Sequence, residues 1–477
     1  MKNKIHKIIL VAAFFLFLVA MPVLTFINLP KEDKPFSENE NRTLAGFPEI
    51  SFEAYVDKSA MTGFEDWFSD RFFGREEWIK LKNSTERFIG KTEVNGIFTV
   101  EDRMMQVWKG YDKEFIDKNL AAINKFTEKN SDIPVYFMLA PTSQEIYSGL
   151  LPECTPIGSQ QEMSNYCREN LECGYIDIFP ALKSHSDEYI YYRTDHHWTS
   201  YGAYLAYAEA AKSLGYQAAP LSAFDIEHAS SDFRGTLYSK TLDDSITPDI
   251  IDYYHSKAEN DLTLTINDGV SVKDYDSLYF REYLDVKDKY SSFMGTNSPV
   301  MTITTEESNN EQSILIFKDS YGNAEVPFYT GSFEEVYICD MRYFDLNAVE
   351  FIKEQGITDL LFTMCTFSAT GPNANGLNTV LDNPTKAELE AMAATATTTT
   401  APEPEESEVI TKKTKKTSTT TPPETAEDEE TAETTTVPED EPEETTKKTK
   451  KTKKTKKTTT EAPEEEPEET TRDKDEE

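Results

Sequence analysis

Apolar residues form one long run near the start of the chain and, farther on, short runs separated by polar segments. The first run extends from Ile8 to Ile27 and follows three lysines. A membrane-spanning helix needs about 20 apolar residues, and basic residues in front of it keep the N-terminus in the cytoplasm. We therefore predict a single-pass signal-anchor at residues 1–29, with the rest of the chain outside the cell. A cleaved signal peptide is the alternative, although the run is long and its small-residue cleavage site is poor.

The segment after the anchor is polar and then becomes helical. Residues 30–51 have the composition of a juxtamembrane linker. From Phe52 to Ile89, aromatic residues recur at spacings of three and four, which places them on one face of a helix. These aromatic residues are Phe64, Trp67, Phe68 and Phe72. Packing against the core is the favoured interpretation, and a binding groove is the alternative.

Short apolar strands alternate with helical patterns through residues 52–391, which we predict to be one α/β domain. The predicted strands are Ile133–Ala140, Gly174–Ile178, Ser313–Phe317, Val336–Cys339 and Asp359–Met364, and the helices between them include Glu114–Lys129, Tyr201–Leu214 and Leu346–Gln355. This alternation predicts a parallel sheet covered on both faces. The polar region from about 222 to 299 interrupts it and is predicted to be an insertion with small elements of its own that covers or shapes a site.

Composition changes at about residue 392. Residues 392–477 consist mainly of Thr, Pro, Glu and Lys, and such a segment buries too little apolar surface to fold. We therefore predict a disordered tail. The net charge of the whole chain is -38, which argues against a nucleic-acid partner because neutralising phosphates requires a basic patch.

The chain has five cysteines, which are few for an exported protein of 477 residues, so no disulfide framework is implied. Cys154, Cys167 and Cys173 are near enough in sequence for one local bridge. Cys339 and Cys365 lie in apolar runs and are predicted to fill the core. No cysteine spacing supports a metal site.

Two polar segments about 120 residues apart contain the residue types of a serine acyl-transfer site. The first contains Asp195, His196 and His197, and the second contains Ser320. In an extended chain, residues i and i+2 point to one side, so Asp195 and His197 are predicted to share a face while His196 points away. The carboxylate would then orient His197 and stabilise its imidazolium. A structural turn and a metal site are the alternatives, although two adjacent histidines rarely bind one metal ion.

Ser320 follows four apolar residues, 314–317, and precedes a polar turn. The carboxyl end of a strand is where α/β sheets present ligand groups. A hydroxyl there is predicted to be exposed, next to free backbone N–H groups that stabilise an oxyanion; an ordinary helix-capping serine is the alternative. Tyr321, Trp198 and Arg342 are predicted to contact substrate, with a salt bridge as the alternative for Arg342.

These segments resemble the DHHW protein family, which is similar to the SGNH-type alginate O-acetyltransferases. The resemblance rests on 194–199, 318–321 and 340–343, with further matches at 36–42, 233–236 and 288–290. It implies an SGNH-hydrolase-like (flavodoxin-like) α/β/α sandwich in which Ser320 is the nucleophile, His197 the base and Asp195 the orienting acid. It also implies a bacterial cell-surface protein that transfers acetyl groups to a polysaccharide without a cofactor.

An acetyltransferase outside the cell has no obvious acyl donor, so a multi-spanning membrane partner that delivers acyl groups is expected. Two other functions remain open on the same residues. A carbohydrate acetyl esterase would pass the acyl group to water instead of a sugar hydroxyl, and no residue of the sequence decides between them. A surface-displayed protein without catalysis would also account for the anchor, the acidic domain and the long tail.

Overall fold

The structure is a computed structural model that describes residues 2–29, 36–257, 262–295, 298–305, 311–341, 343–371 and 374–398. All of these residues belong to one compact unit, Met1–Lys412. Arg342 and almost all of the predicted tail lie outside the described residues, so the predictions for them stay predictions.

The N-terminal helix α1 is Lys2–Ile27. Its segment Lys4–Ile27 is long and apolar enough to cross a membrane, a property that signal sequences share. The end of α1 contacts the rest of the chain, because the ring centroids of Phe26 and Phe68 are 6.0 Å apart. The predicted apolar helix is therefore present.

Residues 36–106 form three helices and two small sheets. The elements are β1 (Phe36–Ser37), β2 (Arg42–Thr43), α2 (Phe52–Val56), α3 (Ser59–Asp70), α4 (Arg75–Phe88), β3 (Glu93–Val94), β4 (Ile97–Val100) and β5 (Arg103–Gln106). The helical pattern predicted from Phe52 to Ile89 is divided into α2, α3 and α4. The divisions occur at Lys58 and Gly74, which adopt the left-handed conformation with φ of 70° and 68°, and a left-handed residue interrupts a right-handed helix.

The remaining elements build the main domain. In chain order they are α5 (Lys113–Lys129), β6 (Val135–Ala140), α6 (Ser143–Ile146), α7 (Gln160–Asn170), β7 (Gly174–Ile176), α8 (Phe179–Ser184), α9 (Ser200–Leu214), β8 (Phe224–Phe233), α10 (Thr236–Thr241), β9 (Asp249–Ser256), β10 (Leu262–Asn267), β11 (Val272–Tyr275), β12 (Val300–Thr305), β13 (Ser313–Lys318), α11 (Gly322–Glu325), β14 (Glu335–Asp340), α12 (Ala348–Glu354), β15 (Asp359–Cys365), α13 (Thr366–Thr370), α14 (Ala374–Asp382) and α15 (Lys386–Thr398).

An eight-stranded sheet lies at the centre of the domain, with the order β11-β10-β12-β14-β13-β15-β6-β7. The five strands from β14 to β7 are parallel, whereas β12, β10 and β11 continue the sheet in antiparallel pairs. Helices α5, α12, α13 and α14 contact one another in one layer, and α6, α8, α9 and α11 do so in another. The predicted α/β/α sandwich is confirmed, but its sheet is mixed and only mostly parallel.

The predicted insertion at about 222–299 has elements of its own. Strands β8 and β9 pair as a separate two-stranded antiparallel sheet, and β10 and β11 extend the edge of the large sheet. Two short 3-10 helices follow, at Arg281–Asp285 and Lys289–Ser292. This region supplies several residues of the site described below.

All five cysteine thiols are free. The local bridge that the sequence allowed among Cys154, Cys167 and Cys173 is therefore not formed. Cys339 and Cys365 are buried at the ends of β14 and β15, and the prediction that they fill the core is confirmed.

Candidate active site

Ser320 lies in the turn between β13 and α11, at the carboxyl edge of the sheet, and it is partly exposed. Its neighbour Asp319 holds this turn with both carboxylate oxygens. Oδ1 accepts the Tyr321 N–H at 2.9 Å, and Oδ2 accepts the Cys365 N–H at the end of β15 at 2.7 Å. The turn that carries the hydroxyl is thus tied to the adjacent parallel strand.

The backbone N–H groups after Ser320 are used inside this turn. Besides the Tyr321 N–H, the Gly322 N–H donates to the Asp319 carbonyl at 3.2 Å, and the Asn323 N–H donates to the Ser320 carbonyl at 3.2 Å. The sequence predicted free N–H groups at this position for an oxyanion. These three are not free, because the tight turn into α11 engages each of them.

Asp195 and His197 lie in a short loop that is closed by an antiparallel bridge between Tyr191 and Trp198. Asp195 Oδ1 accepts the backbone N–H of His197 at 3.0 Å and lies 2.6 Å from His197 Nδ1. The sequence assigned this proximity to an extended strand, whereas the structure forms it with a turn whose aspartate binds the residue two positions later. The two side chains are adjacent, as predicted, for a different reason.

Ser320 contacts this loop although the two are far apart in sequence. His197 Nε2 lies 2.8 Å from Ser320 Oγ. Because an ionised carboxylate only accepts hydrogen bonds, the proton of the neutral ring is on Nδ1, facing Asp195, and Nε2 is left to accept the Ser320 hydroxyl. Asp195 and His197 are buried, with 1% and 4% exposure. The structure thus brings the three predicted catalytic residues together in one hydrogen-bonded relay.

The second oxygen of Asp195 is held by the region after β8. Asp195 Oδ2 accepts the N–H of Thr236 at 2.8 Å and its hydroxyl at 3.1 Å. A Cβ atom at Gly235 would stand 2.2 Å from this oxygen, so only glycine permits the approach. Burial by itself would raise the pKa of Asp195, but the charges on His196 and His197 and the hydrogen bonds from His197 and Thr236 hold it far below its usual value. The carboxylate therefore stays ionised.

His196 does not point away from its neighbours, contrary to the prediction. Its ring centroid is 3.8 Å from that of His197, and its Nδ1 lies 2.7 Å from the hydroxyl of Thr236. The loop is bent at these residues, so the alternation of an extended strand does not apply. Burial, followed by the charge of His197, lowers the pKa of His196 to about 3, which makes it a neutral imidazole at pH 7.

Tyr290 is a site residue for which the sequence indicated no role. Its ring stacks on His197, with 3.8 Å between centroids and an angle of 4° between planes. Its hydroxyl donates to the carbonyl of Ser320 at 2.9 Å. The only signal in the sequence was its position in the segment 288–290, one of the matches to the family pattern. Tyr290 therefore touches both halves of the relay.

Asp249 at the start of β9 was also missed. It is completely buried. Its oxygens accept the N–H of Arg193 at 2.7 Å, the hydroxyl of Tyr189 at 2.5 Å, and both the N–H and the hydroxyl of Thr194 at 2.8 and 2.5 Å. Arg193 and Thr194 directly precede Asp195, so Asp249 supports the backbone that leads into it. No local pattern marks an aspartate that acts at this distance along the chain.

Trp198 and Tyr321 were predicted to contact substrate, but the structure buries both, with 0% and 1% exposure. Trp198 Nε1 donates to the carbonyl of Tyr321 at 2.9 Å, and the Tyr321 hydroxyl donates to the carbonyl of His196 at 2.5 Å. The prediction is corrected because side chains without accessible surface cannot reach a ligand. Instead, the pair connects the His197 loop to the Ser320 turn.

Asp195, His196 and His197 each offer a metal-ligand atom, and these atoms lie within 4.8 Å of one another. However, both ring nitrogens of His197 are already bonded, to Asp195 and to Ser320. A metal ion bound through His197 would have to displace one of these partners. The hydrogen-bonded arrangement therefore fits proton transfer better than metal binding.

Comparison with known proteins agrees with the family resemblance that the sequence indicated. A sequence model of the DHHW protein family matches residues 107–339. A crystal structure of a DHHW family protein from Eubacterium siraeum is 35% identical, covering 62% of this chain and 97% of that one with a TM-score of 0.54. PatB1 of Bacillus cereus is 25% identical, covering 58% and 97% with a TM-score of 0.51, and its structure with a sulfonyl adduct is 24% identical, covering 58% and 96% with the same score. No curated protein matches the sequence.

Proposed function

Because this chain belongs to the DHHW protein family, we propose that it is a membrane-anchored O-acyltransferase that works outside the cytoplasm and transfers acetyl groups to a polysaccharide. The fold is the α/β/α sandwich of SGNH-hydrolase type that the sequence predicted. The observation that carries the proposal is the relay of Ser320, His197 and Asp195, with separations of 2.8 and 2.6 Å. A serine, a histidine and an ionised carboxylate in this order are the groups that acyl transfer requires.

In the first step, Ser320 Oγ attacks the carbonyl carbon of the donor ester while His197 Nε2 takes the hydroxyl proton. The bond between that carbon and the donor oxygen then breaks, and the departing oxygen receives the proton from His197. The acetyl group is left as an ester on Ser320. Asp195 stabilises the imidazolium that forms between these two proton transfers, and its depressed pKa keeps it charged.

In the second step, a sugar hydroxyl replaces the donor at the site. His197 takes its proton as its oxygen attacks the acetyl carbon, and Ser320 leaves with the proton that His197 returns. The product is an O-acetylated sugar and the free serine. With water in place of the sugar, the same steps release acetate, which is the esterase alternative.

The proposed partners follow from where the site works. The basic N-terminus before α1 favours a domain outside the cytoplasm, where a membrane-embedded protein would supply acyl groups to Ser320. Arg342 is proposed to orient a substrate oxygen, because a guanidinium offers several donors in a fixed plane. We do not extend this role to Trp198 or Tyr321.

The test is acetylation of the full chain by an activated aryl acetate, read by mass spectrometry of the peptide that contains Ser320. The variants are Ser320→Ala and His197→Ala, and the matched control is Ser222→Ala, an exposed serine of the same domain. We expect labelling in the wild type and the control and none in the two site variants. Equal labelling of Ser320→Ala, or a folded wild type that takes no label, would overturn the proposal.

The same reaction separates the two enzymes. With an oligosaccharide present, acetyl groups on the sugar and little free acetate would support a transferase. Steady acetate release that the sugar does not change would replace the transferase with an esterase, while leaving the assignment of Ser320 intact.

A further inference from the structure

Exposed apolar side chains are concentrated in the helices that follow α1. Between residues 47 and 89, twelve large hydrophobic side chains are exposed, whereas the described part of residues 91–392 has ten. The most exposed of the twelve include Phe52 at 81% and Phe88 at 90%. An apolar area of this density on a folded protein marks an interaction surface.

These side chains form stripes on α2 and α4. Phe52, Tyr55 and Val56 are spaced i, i+3 and i+4 on α2, and Trp78 and Leu81 are spaced i and i+3 on α4; all five are exposed. Residues at these spacings lie on one face of a helix. We call the stripes together the α2–α4 apolar surface.

The face of α4 that docks on the protein is mostly polar, with Ile79 packed against a small hydrophobic cluster. Lys80 Nζ lies 2.9 Å from Asp244, Arg87 pairs with Asp243, and the Asn83 amide donates to the carbonyl of Thr241. Lys80, Asn83 and Arg87 are spaced i, i+3 and i+7, so they share one face of the helix. An amphipathic helix of a soluble protein normally does the reverse, with its apolar stripe toward the core.

The α2–α4 apolar surface is continuous with α1. The rings of Phe17 and Trp78 are 5.8 Å apart between centroids, and the Phe73 N–H donates to the hydroxyl of Thr25 at 3.0 Å. Trp78 therefore lies directly beside the helix that is long and apolar enough to cross a membrane. A medium that surrounds α1 also reaches the exposed face of α4.

We propose that the α2–α4 apolar surface lies in the outer leaflet of the lipid bilayer beside α1, so that the domain is attached to the membrane by a surface as well as by a helix. An uncharged stripe rich in aromatic side chains suits the bilayer interface. This inference rests on the anchor of the proposed function and does not depend on acyl transfer.

The orientation links the membrane to the active site. Helix α4 docks on the last residue of α10, Thr241, and on Asp244 just after it. The same helix α10 begins with Thr236, which binds Asp195. The bilayer contact and the relay are thus separated by the single short helix α10. A membrane-embedded acyl donor would meet the domain on this side.

The test is fluorescence quenching of the full chain in vesicles of phosphatidylcholine brominated on its acyl chains, with plain phosphatidylcholine as reference. Trp67, Trp108 and Trp198 are buried at 8%, 3% and 0%, whereas Trp78 is 41% exposed. Bromine quenches only the tryptophans that it contacts. We expect a quenched component in the wild type that Trp78→Phe removes and Trp108→Phe leaves.

Two added reporters test positions that do not touch α1. In the Trp78→Phe background, Phe88→Trp reports on the far end of the stripe, and Val270→Trp, at a residue that is 96% exposed, reports on the main domain. We expect quenching of the first and none of the second. Protein that floats with the vesicles but leaves Phe88→Trp unquenched would overturn the proposal and leave the anchor intact. Quenching of both reporters would also overturn it, because the contact would then not be specific to α2–α4.

Discussion

The turn that carries Ser320 and the loop that carries His197 meet in one site, but they are held in different ways. The Ser320 turn is fixed by the residue next to it, since Asp319 binds the N–H groups of Tyr321 and Cys365. It continues β13, which is buried along its whole length. The His197 loop is held instead by groups that are distant in sequence.

Besides its contacts with the Ser320 turn, the His197 loop is supported by the region about 222–299. Gly235, Thr236, Asp249 and Tyr290 surround Asp195 and His197. Ser320, the proposed nucleophile, is therefore positioned mainly by the turn around it, whereas His197, the proposed base, depends on the folding of a distant segment. The segment that was predicted to be an insertion covering a site therefore supplies the residues that position His197.

The largest effect on the rate of acetyl transfer is expected at Asp195, which lies in the loop that depends on distant support. Asp195→Asn removes the charge that holds the His197 tautomer, so the rate of acetyl transfer should fall by about 10⁴-fold. The rate with an activated acetate measures this. Asp187→Asn, at an exposed residue of the same stretch, is the control. A fall of less than tenfold would mean that the Asp195–His197 contact does not govern the base.

Asp249→Ala tests whether the loop needs its distant support to fold. The change leaves the N–H groups of Arg193 and Thr194 and two hydroxyls without their acceptor, and each buried orphan costs about 1–3 kcal/mol. We expect the free energy of unfolding to drop by roughly 4 kcal/mol, measured by urea denaturation. Asp225→Ala, where the side chain is 77% exposed, should change it by less than about 0.5 kcal/mol. Equal values for both variants would contradict a supporting role.

Gly235→Ala displaces the carboxylate without changing its chemistry. The added Cβ would stand 2.2 Å from Asp195 Oδ2, so Asp195 must move. A displacement of about 1 Å in a catalytic group costs about 10²-fold in rate. The control is Gly331→Ala, where a Cβ meets no atom within 4 Å. Full activity of Gly235→Ala would show that Asp195 tolerates more freedom than the packing suggests.

Protein stability is expected to depend on pH through Glu325, in the helix that follows the Ser320 turn. Burial raises the pKa of Glu325, at the end of α11, to about 8, so the folded protein keeps a proton that the unfolded chain releases above pH ~4.5. The free energy of unfolding should therefore fall with rising pH between about 4.5 and 8, by about 1.4 kcal/mol per unit. Glu325→Gln cannot ionise, so its advantage over the wild type should grow across this window and then level off. A difference that does not vary with pH would refute the assignment.

The smallest effect on the transfer rate is expected at Tyr290, which contacts both the His197 loop and the Ser320 turn. Tyr290→Phe keeps the ring on His197 but loses the hydrogen bond to the Ser320 carbonyl, worth about 1 kcal/mol. The transfer rate should then fall about fivefold. Tyr290→Leu also removes the stacking and should be slower still, with kcat affected more than KM. Two equally active variants would assign the effect to the hydroxyl alone.

Sequence signals were strong where burial is continuous along the chain. The strands predicted at 313–317, 336–339 and 359–364 are confirmed within two residues at each end, because central parallel strands are apolar on both faces. The three antiparallel strands β10, β11 and β12 were not predicted. Their register comes from pairing with one another and with β14, and such pairing between separate segments cannot be read from the pattern within any one of them.

In the site, too, local features were predictable from the sequence and contacts between distant residues were not. The position of Ser320 after an apolar strand was predictable, since a strand end is a local feature. The stacking of Tyr290 and the support from Asp249 were not, because each joins residues more than 50 positions apart. The predicted i, i+2 geometry of Asp195 and His197 was wrong in form because a turn, not a strand, contains them.

The order of the strands has a consequence for how the protein is made. β15 is the last strand of the large sheet to be synthesised, yet it lies between β13 and β6. A growing chain therefore cannot close its sheet by adding strands at an edge, because the central place stays open until residues 359–365 are available. Pairing across such sequence separations is slow. Asp319 finds its Cys365 partner only then, so a chain interrupted before β15 would contain every residue of the relay and still be inert.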